Sequence, residues 1–331
     1  MPAFITHYLY GIDLFHQQTN SFIKQILYQN QNAYKLGLQG PDLFYFDVSL
    51  VLGASEYNLG DHMHEHKVSQ FFQYYLEELD QLTGDEFCCG MAYLCGLLGH
   101  YTLDSYIHPY IYYRTGYSPS IPGSSLASFP THGTLEALID KQMLLEKKSM
   151  MPSQFYPNKT ISLSKKEKEV IASTMSSALN ATYHSFLSNS SKEAKITNPR
   201  KIRKAITAMK YETLLLHDPK GRKQKSIRSI ERLVKKEGML SSLFNNDTLT
   251  DTMDACNRSH ALWHNPWDQS IVSNDSFDDL YRKSSHFYQD IALRLQSYIA
   301  SKATAWTERR LFDRLLETIG NRSYHSGLDV G

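Results

Sequence analysis

The sequence predicts an all-α protein. Stretches in which apolar and polar residues alternate, as they do in half-buried strands, are scarce. With 331 residues and 41% hydrophobic residues, the chain can bury a large core, and disorder is not expected. Apolar residues recur with helical spacing in several segments, namely 67–82, 86–107, 132–148, 165–188, 276–303 and 306–319.

Two segments rich in helix-breaking residues, 116–130 and 149–162, interrupt the helical pattern and are predicted to be loops. The second loop separates two parts of the chain. Eight of the 14 histidines lie at or before residue 132. We therefore expect 1–150 to form a metal-binding helical core and 151–331 to pack on it as a helical C-terminal extension, within one continuous domain.

Composition and charge exclude some function classes. Lys and Arg total 35 against 34 Asp and Glu, so the net charge of +1 gives no reason to expect a stable nucleic-acid partner. The first residues lack the basic start and continuous apolar stretch of a secretory signal, and a cytoplasmic location is expected. The four cysteines show no CxxC spacing and are predicted to be reduced core thiols: Cys88, Cys89, Cys95 and Cys256.

A basic stretch, 195–236, combines many Lys and Arg residues with Ile, Leu and Val at roughly helical spacing. One interpretation is peripheral contact with anionic lipid or with nucleic acid. The other is an ordinary solvated helix face, which the sequence alone favours.

The segment LCGLLGHYTLDSYIHPYI carries three residues of metal-ligating types on one helix face. His100, Asp104 and His108 follow an i, i+4, i+8 spacing, so their side chains project in the same direction. Pro109 is predicted to end the regular helix, which would place His108 at its terminus. Small residues precede this face and would let a neighbouring helix approach closely: Gly90, Ala92, Gly96 and Gly99.

A second helix is predicted to begin near THGTLEALID. His132 and Glu136 are again four residues apart, and Asp140 extends their face as a hydrogen-bond acceptor behind the ligands. A third cluster, GDHMHEH, contains three further histidines, His62, His64 and His66.

Imidazole and carboxylate ligands without thiolates suit zinc, or otherwise manganese or iron. The number of candidate ligands exceeds what one tetrahedral ion can use, so more than one ion is expected. Neighbouring metal ions stabilise both the attacking and the leaving oxygen in phosphoryl displacement. Hydrolysis of a phosphate ester is therefore the predicted reaction class.

Taken in chain order, these residues resemble the zinc-dependent phospholipase C family. The matching motifs are His7 in MPAFITHYLYG, Asp42 in QGPDLFYF and His64 in GDHMHE, followed by His-x3-Asp-x3-His and His-x3-Glu. The C-terminal half resembles an intracellular bacterial branch of that family in NRSHALWHNPW, SFDDLYRKS and NRSYHSGLDVG. The resemblance implies a multi-helix bundle with three zinc ions in a cleft, a fold shared with single-strand-specific zinc nucleases.

The resemblance also implies the ligand sets. One zinc would be held by Asp42, His64, His100 and Asp104, and a second by His108, His132 and Glu136. His64 is preferred over its neighbours because the family-like pattern reads Gly-x3-His followed by an acid. Asp104 would bridge to a third zinc completed by His7, and Asp42 would also be the general base that polarises the attacking water.

The third ion would need a ligand from the chain end. Secreted family members expose an N-terminal amine by removing a signal and a pro-segment, neither of which is expected here. Met1 is followed by the small residue Pro2, which permits removal of the initiator methionine. The amine of Pro2 is therefore predicted as a ligand, and two to three zinc ions are expected.

The motifs together predict a zinc-dependent phosphodiesterase that acts on a phospholipid headgroup. One alternative is a nucleotide or single-strand nucleic-acid phosphoesterase of the same fold, and another is a non-catalytic, metal-stabilised binding protein. Trp263, Trp267 and Tyr324 are predicted to pack structurally. Aromatic residues beside the ligands are predicted to pack around the site rather than to form a substrate wall: Phe44, Tyr45, Phe46, Tyr101, Tyr106, Tyr110, Tyr112 and Tyr113.

Overall fold

The computed structural model describes residues 4–46, 58–188, 198–233, 241–244, 246–300 and 305–330. The protein is all-α, as predicted. The helices of the first half are α1 Phe4–Gln17, α2 Ser21–Gln29, α3 Gln31–Gly37, α4 Leu59–Glu65, α5 Val68–Leu79, α6 Gly84–Arg114 and α7 Ser124–Lys148. Those of the second half are α8 Pro157–Thr160, α9 Lys165–Ser188, α10 Pro199–Leu216, α11 Arg222–Leu233, α12 Phe277–Ala300 and α13 Ala305–Ile319. Short 3-10 segments occur at Gly40–Phe46, Pro152–Gln154 and Ser241–Leu243. A small antiparallel hairpin pairs β1, Trp263–Asn265, with β2, Asp268–Ser273.

Helix α6 runs through the middle of the molecule and is buried along most of its length. The closest backbone approach is made by α3, where two glycines face each other. A Cβ on Gly96 would lie 2.2 Å from the carbonyl oxygen of Tyr34, and a Cβ on Gly37 would lie 2.2 Å from that of Tyr93. The small residues of α6 therefore allow the close contact that the sequence predicts, and α1, α7 and α12 pack around the same helix.

The predicted end of α6 at Pro109 is wrong. The helix continues to Arg114, so His108 lies inside it. Proline lacks the N–H that would bond to the carbonyl of Ser105. Gly327, with φ of 66°, packs against that carbonyl so closely that a Cβ would lie 2.4 Å from it. A turn near the C-terminus thus lies against the irregular point of the helix.

The predicted loop 116–130 is also too long, because α7 already begins at Ser124. Gly123 adopts φ of 76° and turns the chain into the helix, and the amide of Ser118 donates to Oγ of Ser124 at 2.7 Å. The Pro, Gly and Ser signals therefore mark a loop only as far as residue 123.

The second half of the chain packs on the first through α9, which contacts α5 and α6, and through α12, which lies along α6. The four cysteines are free, as predicted, and only Cys88 is partly exposed. None of the helices in the described part of the chain combines the length and the apolar character needed to span a bilayer.

Candidate metal centre

Histidine and carboxylate side chains form three adjoining groups in the interior. Within each group, the candidate ligand atoms all lie within 4.8 Å of one another. The groups are His7 with Asp42 and His100, His64 with His100 and Asp104, and His108 with His132 and Glu136. Helices α1, α4, α6 and α7 and the 3-10 segment Gly40–Phe46 supply these residues, so the fold brings together all the side-chain ligands predicted within the described residues.

Asp104 lies at the centre of the cluster. Its Oδ1 is 3.1 Å from Nε2 of His7, and its Oδ2 is 2.8 Å from Nε2 of His100. The same Oδ2 is 3.8 Å from Nε2 of His64 and 3.8 Å from Nδ1 of His108. A carboxylate with both oxygens among imidazoles is placed to be shared between ions.

Main-chain carbonyls orient three of the histidine rings. Because a carbonyl oxygen only accepts, the ring nitrogen beside it must carry the hydrogen, which leaves Nε2 as the nitrogen available to a metal. The Nδ1 contacts are His64 to the Gly60 carbonyl at 2.7 Å, His100 to the Leu38 carbonyl at 3.1 Å and His108 to the Tyr324 carbonyl at 3.0 Å.

Unpartnered polar atoms show that these residues fit a metal. The 2.8 Å contact between Nε2 of His100 and Oδ2 of Asp104 lacks the alignment of a hydrogen bond. Both atoms are buried without a partner among the described residues, as are Nδ1 of His7 and Oε2 of Glu136. Each such atom costs about 1–3 kcal/mol if nothing satisfies it. Nitrogen and oxygen donors without thiolate suit zinc.

The charges at the site also favour cations. Burial would raise the pKa of Asp104, but His100, His108 and His7 lower it well below its usual range. Burial would likewise raise the pKa of Glu136, which His132 and His108 lower. Burial lowers the pKa of His108, whereas Asp104 and Glu136 raise it to about 9 overall. Both carboxylates are therefore ionised at neutral pH, and a metal at His108 must displace a proton.

Asp42 stands at the more accessible side of the cluster. Its Oδ1 is 3.4 Å from Nε2 of His64, and its side chain is 16% exposed against 4% for that of Asp104. Burial raises the pKa of Asp42, but its contact with His64 and the charge of His100 lower it below its usual value. Asp42 thus combines an ionised carboxylate with access from outside, as a general base requires.

The two other histidines of GDHMHEH do not join the cluster. His62 and His66 stack on each other with ring centroids 4.4 Å apart, and neither belongs to a ligand group. His64 is the histidine of this segment that points inward, with 1% of its surface exposed.

The predicted ligand Pro2 lies outside the described residues. The start of α1 is nevertheless tied to the ligand helix α7 through Asp140. This carboxylate accepts hydrogen bonds from the amides of Ile5 and Thr6, at 3.2 and 2.8 Å, and from the Thr6 hydroxyl at 2.6 Å. Asp140 therefore fixes His7 relative to Glu136, which is the supporting role that its spacing indicates. A cavity of about 20 Å³ lies between His7 and Glu136, enough for about one water or ion.

Tyr324 in the segment 320–330 is buried, as predicted, but sequence reasoning missed the contacts of this segment with the candidate ligands. The amide of Tyr324 donates to the carbonyl of His64 at 2.9 Å, and its own carbonyl holds His108. His325 stacks on His64 with centroids 4.8 Å apart, and its Nδ1 is 3.1 Å from Oε1 of Glu65. No local pattern indicates this contact, because 216 residues separate Tyr324 from His108.

Replacing His325 with Ala is expected to weaken metal binding by about tenfold, because residues that orient ligands typically contribute this much. The measurement is competition with a chelator of known affinity. His286, an exposed residue of α12, provides the control substitution His286→Ala. Equal affinities for the two variants would mean that the stacking on His64 has no effect on the metal.

Three of the aromatic residues near the candidate ligands pack in the core, as expected, whereas Tyr113 is exposed. Phe44, Tyr101 and Tyr110 are buried. Tyr45 and Tyr112 are different, because their rings lie beside candidate ligands. The centroid of Tyr45 is 5.9 Å from that of His64, and the centroid of Tyr112 is 4.9 Å from that of His132.

Fold and site together define an all-helical protein with adjoining groups of histidine and carboxylate side chains that could hold metal ions. The family model of zinc dependent phospholipase C matches residues 2–193, which is more than half of the chain and includes every candidate ligand. The protein belongs to the zinc-dependent phospholipase C family. Neither a curated protein nor a solved structure matches the chain.

Proposed function

We propose that the protein is a zinc-dependent phosphodiesterase that hydrolyses a phosphate ester of a phospholipid headgroup. The observation that carries this proposal is the pairing of the buried, shared carboxylate Asp104 with the accessible, ionised carboxylate Asp42. The first suits a ligand between ions, and the second suits a base for water. Membership of the family supports the same reaction class.

The proposed ligands are His7, Asp42, His64, His100, Asp104, His108, His132 and Glu136, with Pro2 as a further ligand, for two to three zinc ions. Zinc held there would supply positive charge to the phosphate oxygens and lower the pKa of water. Asp42 would accept a proton from the attacking water as the water oxygen bonds to phosphorus; the P–O bond to the leaving group breaks, and the departing alkoxide takes up a proton from solvent to become the alcohol. Asp140 and the segment 320–330 keep the ligand side chains in place during this step.

The rim of the site favours a cationic headgroup over a nucleotide. The hydroxyl of Tyr45 donates to the carboxylate of Asp61. Burial raises the pKa of Tyr112, and the charges of Glu136, Asp61 and Glu65 raise it further. Aromatic faces with nearby carboxylates attract a quaternary or primary ammonium group. The same carboxylates repel the additional phosphates of a nucleic acid. Phosphorylcholine and phosphorylethanolamine esters are therefore the proposed substrates.

Metal content and hydrolysis measured on one preparation test the proposal. Protein purified without chelator is expected to contain about two to three zinc equivalents, because the ligand set exceeds the needs of one tetrahedral ion. Hydrolysis of a phosphorylcholine ester is expected to exceed that of a nucleotide ester by about tenfold, to stop with chelator and to return with zinc.

Two outcomes would contradict this proposal in different ways. Less than about half an equivalent of metal, not restored by added zinc, would remove the metal centre itself. A full metal content without hydrolysis of any phosphorylcholine, nucleotide or generic diester would instead favour a metal-stabilised binding protein.

A further inference from the structure

The basic stretch forms a helical hairpin, 199–233, made of α10 and α11 and called here the basic hairpin. One face of α10 packs inward through Ile202, Ile206 and Met209. The opposite side of α10, together with α11, leaves large apolar side chains in solvent. The most exposed are Leu215 at 65% and Leu233 at 85%, and the others are Tyr211, Leu214 and Ile230. An ordinary solvated helix face does not explain why so many large apolar side chains are exposed together.

The basic hairpin is also strongly cationic. It contains eleven Lys and Arg against three Asp and Glu, whereas the whole chain is nearly balanced at 35 against 34. Two of its three acidic side chains are buried and accept hydrogen bonds from nearby residues. Asp218 accepts from the amides of Arg222 and Gln224, and Glu231 accepts from the amide and hydroxyl of Ser241. The outer surface of the hairpin is therefore almost free of negative charge.

Apolar and cationic groups meet in a groove between the end of α10 and the start of α11. The groove has a volume of about 590 Å³ and is lined by Leu215, Leu216, Ile227 and Phe244, with Arg222, Lys223 and Ser226 at its edge. Lys223 donates to the carbonyls of Leu215 and His217, at 2.9 and 3.0 Å, and so joins the two helices. The groove is thus a formed feature of the hairpin.

We propose that the basic hairpin docks on a membrane surface that contains anionic lipids. Exposed apolar residues among Lys and Arg are the composition of helices that lie in the membrane interface, with cations at the lipid phosphates and apolar side chains at the acyl boundary. Nucleic acid would pair with the cations but would leave Leu215, Ile230 and Leu233 in water. The charge and the apolar exposure together therefore select the lipid surface.

The hairpin adjoins the metal centre. Helix α10 packs against the 3-10 segment Gly40–Phe46, which carries Asp42. A protein docked through this hairpin would hold its metal centre close to lipid headgroups. This role in catalysis rests on the proposed function, whereas membrane docking itself does not.

Co-sedimentation with vesicles tests the docking. The vesicles are phosphatidylcholine alone and phosphatidylcholine with about 30% phosphatidylglycerol, and the wild-type protein is expected to bind the anionic vesicles at least about tenfold more tightly. The exposed residues Lys220, Lys225 and Arg228 are changed together to Glu, which is expected to abolish this preference. The matched control changes three exposed lysines outside the hairpin to Glu: Lys148, Lys165 and Lys166.

A second variant, with Leu215, Ile230 and Leu233 changed to Ser, separates insertion from attraction. All three side chains are exposed, so the fold is expected to be kept, while vesicle binding falls by about tenfold and becomes more sensitive to salt. Equal binding of wild type to neutral and anionic vesicles would overturn the proposal. An equal loss in the lysine control, or tighter binding of a single-stranded oligonucleotide than of anionic vesicles at the same salt, would also overturn it.

Hydrolysis of a soluble phosphorylcholine ester keeps this test separate from the proposed function. The hairpin variants are expected to retain that activity, since none of the changed residues belongs to a ligand group. Vesicle binding without any ester hydrolysis would leave the docking proposal standing and would contradict the proposed function alone.

Discussion

Replacing Asp104 with Asn is expected to release at least one zinc equivalent and to remove most of the difference in melting temperature between zinc-loaded and chelated protein. The two oxygens of Asp104 lie within 4 Å of four histidine side chains, His7, His64, His100 and His108, which come from all three ligand groups. The amide of Asn has nearly the same shape but carries no charge and offers one acceptor oxygen instead of two. Two neighbouring cations would then lack the carboxylate between them.

The expected size follows from linkage. An ion present at about a hundred times its dissociation constant stabilises the native state by about 2.7 kcal/mol. For a chain of this length that amounts to a shift in melting temperature of roughly 5 °C per site. The melting temperature of the wild type should fall by this amount for each ion that the chelator removes. The fall for Asp104→Asn should be less than about half of the wild-type fall.

The control is His16→Ala, because His16 is exposed near the end of α1 and belongs to no ligand group. This variant should keep the metal content and the chelator-dependent shift of the wild type. If both variants melt at the same temperature with and without chelator, Asp104 is not a ligand.

The sequence alone places the candidate ligands of α6 and α7 on shared helix faces, because their spacing is local information. His100, Asp104 and His108 must share a face on any α-helix, and His132 and Glu136 must do the same. The choice of His64 among three neighbouring histidines came from a family-like pattern, and the structure agrees with it only because α4 points that side chain inward.

The sequence failed where distant segments decide the outcome. Pro109 is a helix breaker by its own chemistry, yet the helix continues to Arg114, and the turn at Gly327 lies against the carbonyl that proline leaves free. His325 lacks any ligand-like spacing, and only the fold brings it onto His64. The exposure of Leu215 and Leu233 in the basic hairpin likewise depends on which face of each helix the core covers. Periodicity shows that an apolar stripe exists but does not show what, if anything, buries it.

Replacing Asp42 with Asn is expected to lower kcat for a phosphorylcholine ester by about 100-fold or more, while most of the zinc remains bound. The asparagine side chain has the same shape but cannot accept a proton from water. The remaining side chains of the groups, including His64, His100 and Asp104, still hold metal. The measurement is kcat and zinc content on the same sample, so that loss of base and loss of metal are distinguished.

The pH profile adds a second readout. Because His64 and His100 lower the pKa of Asp42 below its usual value, the wild-type base is ionised throughout the neutral range, and its protonation reduces activity only at acidic pH. Asp42→Asn should have the same low kcat across the pH range, without the loss of activity that the wild type shows at acidic pH. A variant with wild-type kcat would exclude Asp42 as the base, and a rate that falls only in proportion to zinc would leave Asp42 as a ligand alone.

Asp61→Asn is the matched control for this experiment. Asp61 is an exposed carboxylate on the rim, bonded by the hydroxyl of Tyr45, and it belongs to none of the ligand groups. If the Asp61 carboxylate attracts a cationic headgroup, Asp61→Asn raises KM for a phosphorylcholine ester several-fold. The same variant leaves kcat and the fall in activity at acidic pH unchanged. The two carboxylates would then differ in the kinetic parameter that they control, because Asp42 acts on the reacting water and Asp61 acts on the bound substrate.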